Sequence, residues 1–241
     1  MAIPIPPPDT PDAHDMDTPK QSHQPTEEEK EAGPQEPRQI NDQLGDQPVF
    51  RYELRIPKDR IAVLIGKGGQ IKDKLEDETG ATIQVDSKEG DVFIEGHDVL
   101  SLYQLRDMVK AVGRGFNPET AFLLLRQDYT FELIQLKDYS PHQNHQQRIK
   151  GRVIGRAGKT RHLIEQLTDV FVTIYGKTIG IIGPIENVTV AGRAIDMLLS
   201  GSPHANVYKW LEQKRKTLKR IEMVGPDIEV KDEFKKYVDE Q

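Results

Sequence analysis

The sequence predicts an α+β protein made of two tandem copies of one unit. Each copy is a three-stranded antiparallel sheet with helices on one face, with a disordered acidic tail before the pair and a helix after it. Three observations carry this. Shifting the chain by 89 residues lays Ile65, Gly66, Gly69, Leu75, Glu76, Thr79, Ile83 and Val85 on Ile154, Gly155, Gly158, Ile164, Glu165, Thr168, Val172 and Ile174. Strand-like and helix-like hydrophobic periods follow one another in the same order in both copies. Composition also breaks sharply near residue 49, where the prolines and carboxylates give way to alternating apolar residues.

Residues 1–48 hold ten of the sixteen prolines, and residues 1–49 hold 11 acidic against 3 basic residues with no aromatic. Such a segment buries too little apolar surface to offset its ordering entropy, so it reads as disordered, with the prolines at 4–8 as a polyproline candidate. Order begins where Phe50, Tyr52, Leu54 and Ile56 alternate with Arg51, Glu53 and Arg55, the period of a half-buried strand closed by Pro57. Residues 58–65 then form a short helix, 66–69 a glycine loop, and 70–79 a second helix stopped by Gly80. Strands at 82–86 and 91–95 make a hairpin, and a helix over 100–112 packs through Leu102, Leu105, Met108 and Val109.

Asn117 and Pro118 fit the cap and first turn of a connecting helix. Residues 122–125 are apolar all round, so this connector is expected to lie buried between the units and to lock them together. The second unit opens with a strand at 130–137, apolar on both faces through Phe131, Leu133, Ile134 and Leu136. A polar stretch at 140–147, a helix from about 145, the loop at 155–158, strands at 170–175 and 177–182, and a helix at 187–199 complete it. A long helix over 203–222 has an apolar face (Val207, Trp210, Leu211, Leu218, Ile221) and a basic remainder (Lys209, Lys214, Arg215, Lys216, Lys219, Arg220), ended by Gly225-Pro226. That remainder is either a solvated side or an extra phosphate-binding surface. The expected divisions are a tail at 1–48, a first domain at 49–126, a second at 127–201, the basic helix at 202–224 and a flexible acidic end at 225–241.

Cysteine is absent, which excludes disulfides, thiolate zinc sites and cysteine nucleophiles. No apolar run approaches the roughly 18 residues of a membrane span, leaving a soluble cytoplasmic protein as the expectation. The net charge of −6 is segregated. Beyond residue 49 the chain has 30 basic and 28 acidic residues, a balance that permits nucleic-acid binding without demanding it.

The chemistry is concentrated in the two loops, Gly66-Lys67-Gly68-Gly69 and Gly155-Arg156-Ala157-Gly158. Glycines there open backbone conformations closed to other residues and let a ligand come close. Each loop opens a helix whose free N–H groups attract an anion, and Arg156, Lys159 and Arg161 add positive charge. One G-x-x-G is weak, but two in register with the flanking patterns are strong. Ile71 facing Thr160 breaks the match.

The pattern Ile-Gly-x-x-Gly between two helices, inside strand-helix-helix-strand-strand-helix, resembles a type I KH domain, present twice over about residues 49–201. GRVIGRAGKTRHLIEQLT, KTIGIIGP and GSPHANVYKWLEQKR are similar to the archaeal members of the partner-of-Nob-one family of small-subunit ribosome assembly factors. The resemblance implies binding of single-stranded small-subunit rRNA precursor near its 3′ end, beside the endonuclease that matures that end. It makes Gly66, Lys67, Gly68, Gly69, Gly155, Arg156, Ala157 and Gly158 the phosphate clamps, with Lys72, Lys159 and Arg161 as further RNA-binding candidates. Groove walls would come from Val63, Ile65, Ile71, Ile83 and Val85 in one unit and Val153, Ile154, Val172 and Ile174 in the other, some of which must face the core instead. One clamp or both could engage RNA.

Three other chemistries have some support in the chain. Gly158-Lys159-Thr160 resembles the end of a nucleoside triphosphate loop, but Val153 stands where that loop needs a glycine. His142 and His145 lie in a polar stretch and His162 near the second loop, with no third ligand to make a metal site. No enzymatic role and no cofactor are therefore expected. The serious alternative is a protein-interaction scaffold in ribosome assembly or translation initiation, with an initiation factor subunit as partner and RNA contact secondary.

Overall fold

The computed structural model describes residues 37–40 and 49–224, which fall in one compact unit. The rest of the expected tail, Gly225-Pro226 and the acidic end lie outside the described residues.

In the first unit β2 (Val49–Arg55) pairs with β4 (Asp91–Gly96), and β4 with β3 (Thr82–Asp86), all antiparallel. Tyr52 and Ile83 both stand opposite Ile94, and Leu54 and Val85 opposite Val92, so alternate residues form one apolar face. Helices α1 (Lys58–Ile65), α2 (Gln70–Thr79) and α3 (Val99–Gly113) cover it through Leu64, Leu75, Leu105 and Met108, all buried. The opposite face is polar: Arg51 lies 3.3 Å from Glu95 and 4.4 Å over the Phe93 ring. The expectation of an unstructured tail is corrected at Arg38–Ile40. This short strand, β1, pairs with the free edge of β2, whose unpaired N–H and C=O groups are a template for another strand.

The second unit repeats the order with β5 (Tyr129–Gln135), α5 (Gln143–Ile154), α6 (Lys159–Thr168), β6 (Phe171–Tyr175), β7 (Thr178–Pro184) and α7 (Ile185–Leu199), in the strand order β5-β7-β6. β5 is shorter than expected because the chain bends into a 3-10 turn at Leu136–Asp138, where Leu136 is buried and its N–H donates to Lys177 O at 2.9 Å. The following polar stretch is folded in: Gln146 is buried and donates from Nε2 to Ser140 O at 2.7 Å, and α5 starts two residues before position 145.

The connector is a short helix α4 (Pro118–Ala121) running into a 3-10 turn, Phe122–Leu125. Pro118 takes the first turn as expected, but the Asn117 side chain makes no capping bond. Leu124 joins the first unit's core, while Phe122 and Leu125 are half-buried against it.

The units meet where the first unit's α3 end lies on the outer face of the second sheet. That is why β5 and β7 are apolar on both faces. Ile182 belongs to the first unit's core, and Phe116 packs edge-on to Phe131 with centroids 6.0 Å apart. A Cβ at Gly180 would stand 2.7 Å from the Phe116 ring, so only glycine lets the sheet come so close. Arg60 fixes the α3 end by donating to Val112 O at 2.9 Å and Phe116 O at 2.7 Å. Tyr175 closes the seam by donating to Asp59 at 2.6 Å. Burial first, and then that hydrogen bond and the carboxylate's charge, push the Tyr175 hydroxyl up to about 12.

Candidate nucleic-acid interface

Both helix pairs turn through the same backbone corner. α1 ends at Gly66 (φ 76°, ψ 179°) and α5 at Gly155 (φ 72°, ψ 176°). The next left-handed residues are Gly68 (φ 64°) and Ala157 (φ 53°), then Gly69 (φ 90°) and Gly158 (φ 76°). Gly69 N–H closes the first turn onto Gly66 O at 3.4 Å, and Gly158 N–H the second onto Gly155 O at 3.3 Å. The N–H groups of Lys67, Gly68, Arg156 and Ala157 meet no acceptor among the described residues. Two exposed donors per corner are therefore available to an anion.

The glycines differ in what they do. A Cβ on Gly155 would stand 2.7 Å from Thr160 Cβ and 2.8 Å from Thr160 N; one on Gly66 would stand 2.9 Å from Ile71 Cβ. These first glycines let the corner pack against its own next helix. At Gly68 nothing lies within 4 Å of an added Cβ, so the outer side of the loop is open space.

The cations also sort into two groups. Lys67, Arg156 and Lys159 are exposed and make no hydrogen bond or ion pair among the described residues. Lys72 is held by Glu76 at 3.2 Å, and its counterpart Arg161 by Glu165 at 3.4 Å and by Val172 O at 3.2 Å. The two glutamates tie helix to strand, accepting from Ile83 N–H at 2.5 Å and from Val172 N–H at 2.9 Å. The sequence repeat contains both glutamates, but nothing in it announces this role. His162 sits on the exposed side of α6, its Nδ1 3.2 Å from Glu165.

The structure also separates the groove candidates. Ile83, Val153 and Val172 are buried core, whereas Val63, Ile65, Ile71, Val85, Ile154 and Ile174 are half-exposed.

Helix α8 (His204–Val224) docks beside the second corner with Val207 and Leu211 buried, Trp210 and Leu218 half-buried. Lys209, Lys214, Lys216, Lys219 and Arg220 are exposed, while Arg215 is half-buried. Near its start Tyr208 Oη lies 2.8 Å from Thr160 Oγ1, which accounts for Thr160 standing where the first unit has Ile71. Thr160 is 3 % exposed and its hydroxyl is occupied, so it is not placed to hold a magnesium ion as a triphosphate loop requires. Among the described residues no group of three or more metal-ligating side chains comes together, and no helix is long and apolar enough to cross a membrane.

Two family models match: a KH domain over residues 51–111 and a eukaryotic-type KH domain of type I over residues 130–216. The chain is 46% identical over 171 residues to KH domain-containing protein MJ0443 of Methanocaldococcus jannaschii, covering 69% of this chain and 75% of the relative. It is 30% identical to the pre-rRNA-processing protein pno1 of Aspergillus oryzae, covering 66% of this chain and 65% of that one. Among solved structures, a chain of the a/eIF2alpha–aDim2p–rRNA complex from Pyrococcus horikoshii superposes with a TM-score of 0.66 at 43% identity, covering 70% of this chain and 96% of its own length. Dim2p alone from the same organism gives a TM-score of 0.63 at 44% identity, over 68% of this chain and 98% of Dim2p.

Proposed function

Because the chain belongs to the two-KH-domain family of archaeal Dim2p and the PNO1 pre-rRNA-processing proteins, we propose that it grips single-stranded small-subunit rRNA precursor near its 3′ end as an assembly and processing factor. The observation that carries this is the pair of open corners, each presenting two unsatisfied backbone N–H groups beside an exposed cation. In the KH mode such N–H groups clamp the phosphates of about four unpaired nucleotides while an apolar groove holds the bases. Gly66, Lys67, Gly68 and Gly69 form one clamp, and Gly155, Arg156, Ala157 and Gly158 the other. Lys159 adds charge to the second; Lys72 and Arg161 act mainly by holding their glutamates. The half-exposed apolar residues beside each corner line the groove.

The functional divisions are 49–126 and 127–201, with the basic helix over 202–224 beside the second clamp, and the work is done in the cytoplasm without a catalytic step. Partners are the rRNA, the endonuclease that trims it and a translation initiation factor subunit. The Pyrococcus complex, in which aDim2p accompanies both rRNA and a/eIF2alpha, supports the first and the last of these.

The test is affinity for an RNA matching the 3′ end of small-subunit rRNA at one fixed salt concentration, since phosphate contacts are salt-dependent. Lys67→Asp/Gly68→Asp and Arg156→Asp/Ala157→Asp are compared with wild type. Loss of tenfold or more in one variant names the working clamp, and loss in both shows that the clamps cooperate. Wild-type affinity in both folded variants sinks the clamp and favours a protein scaffold.

A further inference from the structure

A cavity of about 490 Å³ opens beside the second corner, between the α5 end, the α6 start and the first turn of α8. Its lining includes Arg148, Arg156, Lys159, Thr160, His204 and Tyr208. Arg148, Arg156 and Lys159 are exposed and have no ion-pair partner among the described residues. Arg152, also on its wall, is occupied: it donates to Leu198 O at 2.9 Å and to Ser202 O, which anchors the turn leading into α8. His204 Nε2 lies 3.0 Å from Arg152 O, which fixes its proton on that nitrogen as donor. Tyr208 is held at both ends, its hydroxyl on Thr160 and its ring edge-on to His204 at 6.0 Å between centroids. The result is a preformed pocket with an immobilised aromatic ring, three free cations and a volume suited to a small ligand.

We propose that this pocket seats one nucleotide of the same RNA strand that lies on the second clamp, with its phosphate on Arg148 and Lys159 and its base or ribose against Tyr208. The proposal rests on the clamp reading and extends it. Gly155 and Arg156 belong to both clamp and pocket, so a strand leaving the corner enters the cavity without a gap. Stacking on a fixed aromatic ring tolerates any base, and the cations take the phosphate. The two G-x-x-G sites are thereby unequal: the second reads one nucleotide more, and α8 supplies the wall.

The test uses the full chain carrying Lys67→Asp/Gly68→Asp, so that only the second clamp reports. Its affinity is measured for a tetranucleotide from the rRNA 3′ end and for the same RNA lengthened by one nucleotide at either end. Lengthening at one end is expected to tighten binding about tenfold, the size of one stacked base. Arg148→Ala, which removes an exposed side chain, is expected to leave tetranucleotide affinity within about twofold and to abolish that gain. Tyr208→Ala is expected to do the same, with thermal unfolding as the check on folding; Arg148→Ala decides if Tyr208→Ala unfolds. The proposal is overturned if lengthening gives no gain, or if Arg148→Ala weakens both lengths equally. It is also overturned if adenosine monophosphate fills the pocket without competing with the longer RNA. A tetranucleotide that fails to bind shows that the second corner is not a working clamp and overturns this pocket with it, before any pocket variant is made, while the clamp reading of the first corner stands or falls on the unmodified chain.

Discussion

The two glycine corners have nearly the same backbone and different surroundings. The first carries glycine at three of its four positions and packs Gly66 against Ile71, an apolar neighbour. The second has Ala157 in a left-handed conformation and packs Gly155 against Thr160, whose hydroxyl is bound by a helix that has no counterpart in the first unit. Corner geometry therefore follows from the first glycine and the helix it abuts, while the loop's stiffness and its neighbours are set separately. One corner stands alone, and the other is built into a wall.

Four predictions press on this comparison. The largest effect is expected from Gly155→Val, which combines a β-branched residue at φ 72° with a Cβ 2.7 Å from Thr160 Cβ. A loss of about 4 kcal/mol in denaturant unfolding follows from backbone strain plus overpacking. Gly68→Ala, in open space at φ 64°, costs only about 1 kcal/mol. Equal losses would mean that the corner is not packed as described.

Exchanging the mismatched pair comes second. Thr160→Ile strips Tyr208 of its partner and costs about 2 kcal/mol. Ile71→Thr costs about 1 kcal/mol from lost burial alone, since no tyrosine is there to accept it. If the two swaps cost the same, the Thr160–Tyr208 tie does not distinguish the corners.

Third is the seam that joins them. Tyr175→Phe is expected to cost about 1 kcal/mol. The wild-type hydroxyl is raised to about 12, above its ordinary 10.0. Its contribution is complete below pH 10 and is lost as pH climbs through 12, so wild type and variant converge in alkali. Stability curves that stay parallel up to pH 12 refute that contribution.

The smallest effects are gains. Asp169, the counterpart of Gly80, ends α6 at φ 50°, and Asp169→Gly is expected to stabilise by about 0.5 kcal/mol. Ala157→Gly gains a few tenths at most, because relief of strain is offset by unfolded-state entropy. A loss in either would show that the left-handed residue is held by contacts beyond its backbone.

Much of this was legible in the chain, because the relevant signals are local. Helices at Lys58–Ile65 and Gln70–Thr79 and the strand at Thr82–Asp86 fall where periodicity and glycine stops place them. Asp98, whose carboxylate accepts from Leu100 N–H and Ser101 N–H, is a local cap signal for α3, and the helix starts at Val99 instead of residue 100. What sequence could not supply is pairing across distance. Asp59 and Tyr175 are 116 residues apart, and Gly180 gives no sign that Phe116 needs its missing Cβ. The mismatch of Ile71 with Thr160 was visible, but its meaning required Tyr208, 48 residues on. Strand β1 was hidden because three residues amid prolines carry no period.

Gly180 and Phe116 have one more consequence. Because the ring rests directly on the sheet, the separation of the two corners is a dimension of the folded body and not the reach of a tether. A tether forgives the length of what it spans; a rigid gap does not. On the proposed clamp reading, an RNA held at one corner would either have the right number of nucleotides to arrive at the other or gain nothing from it. Packing of one benzyl group on one glycine would then act as a gauge of strand length.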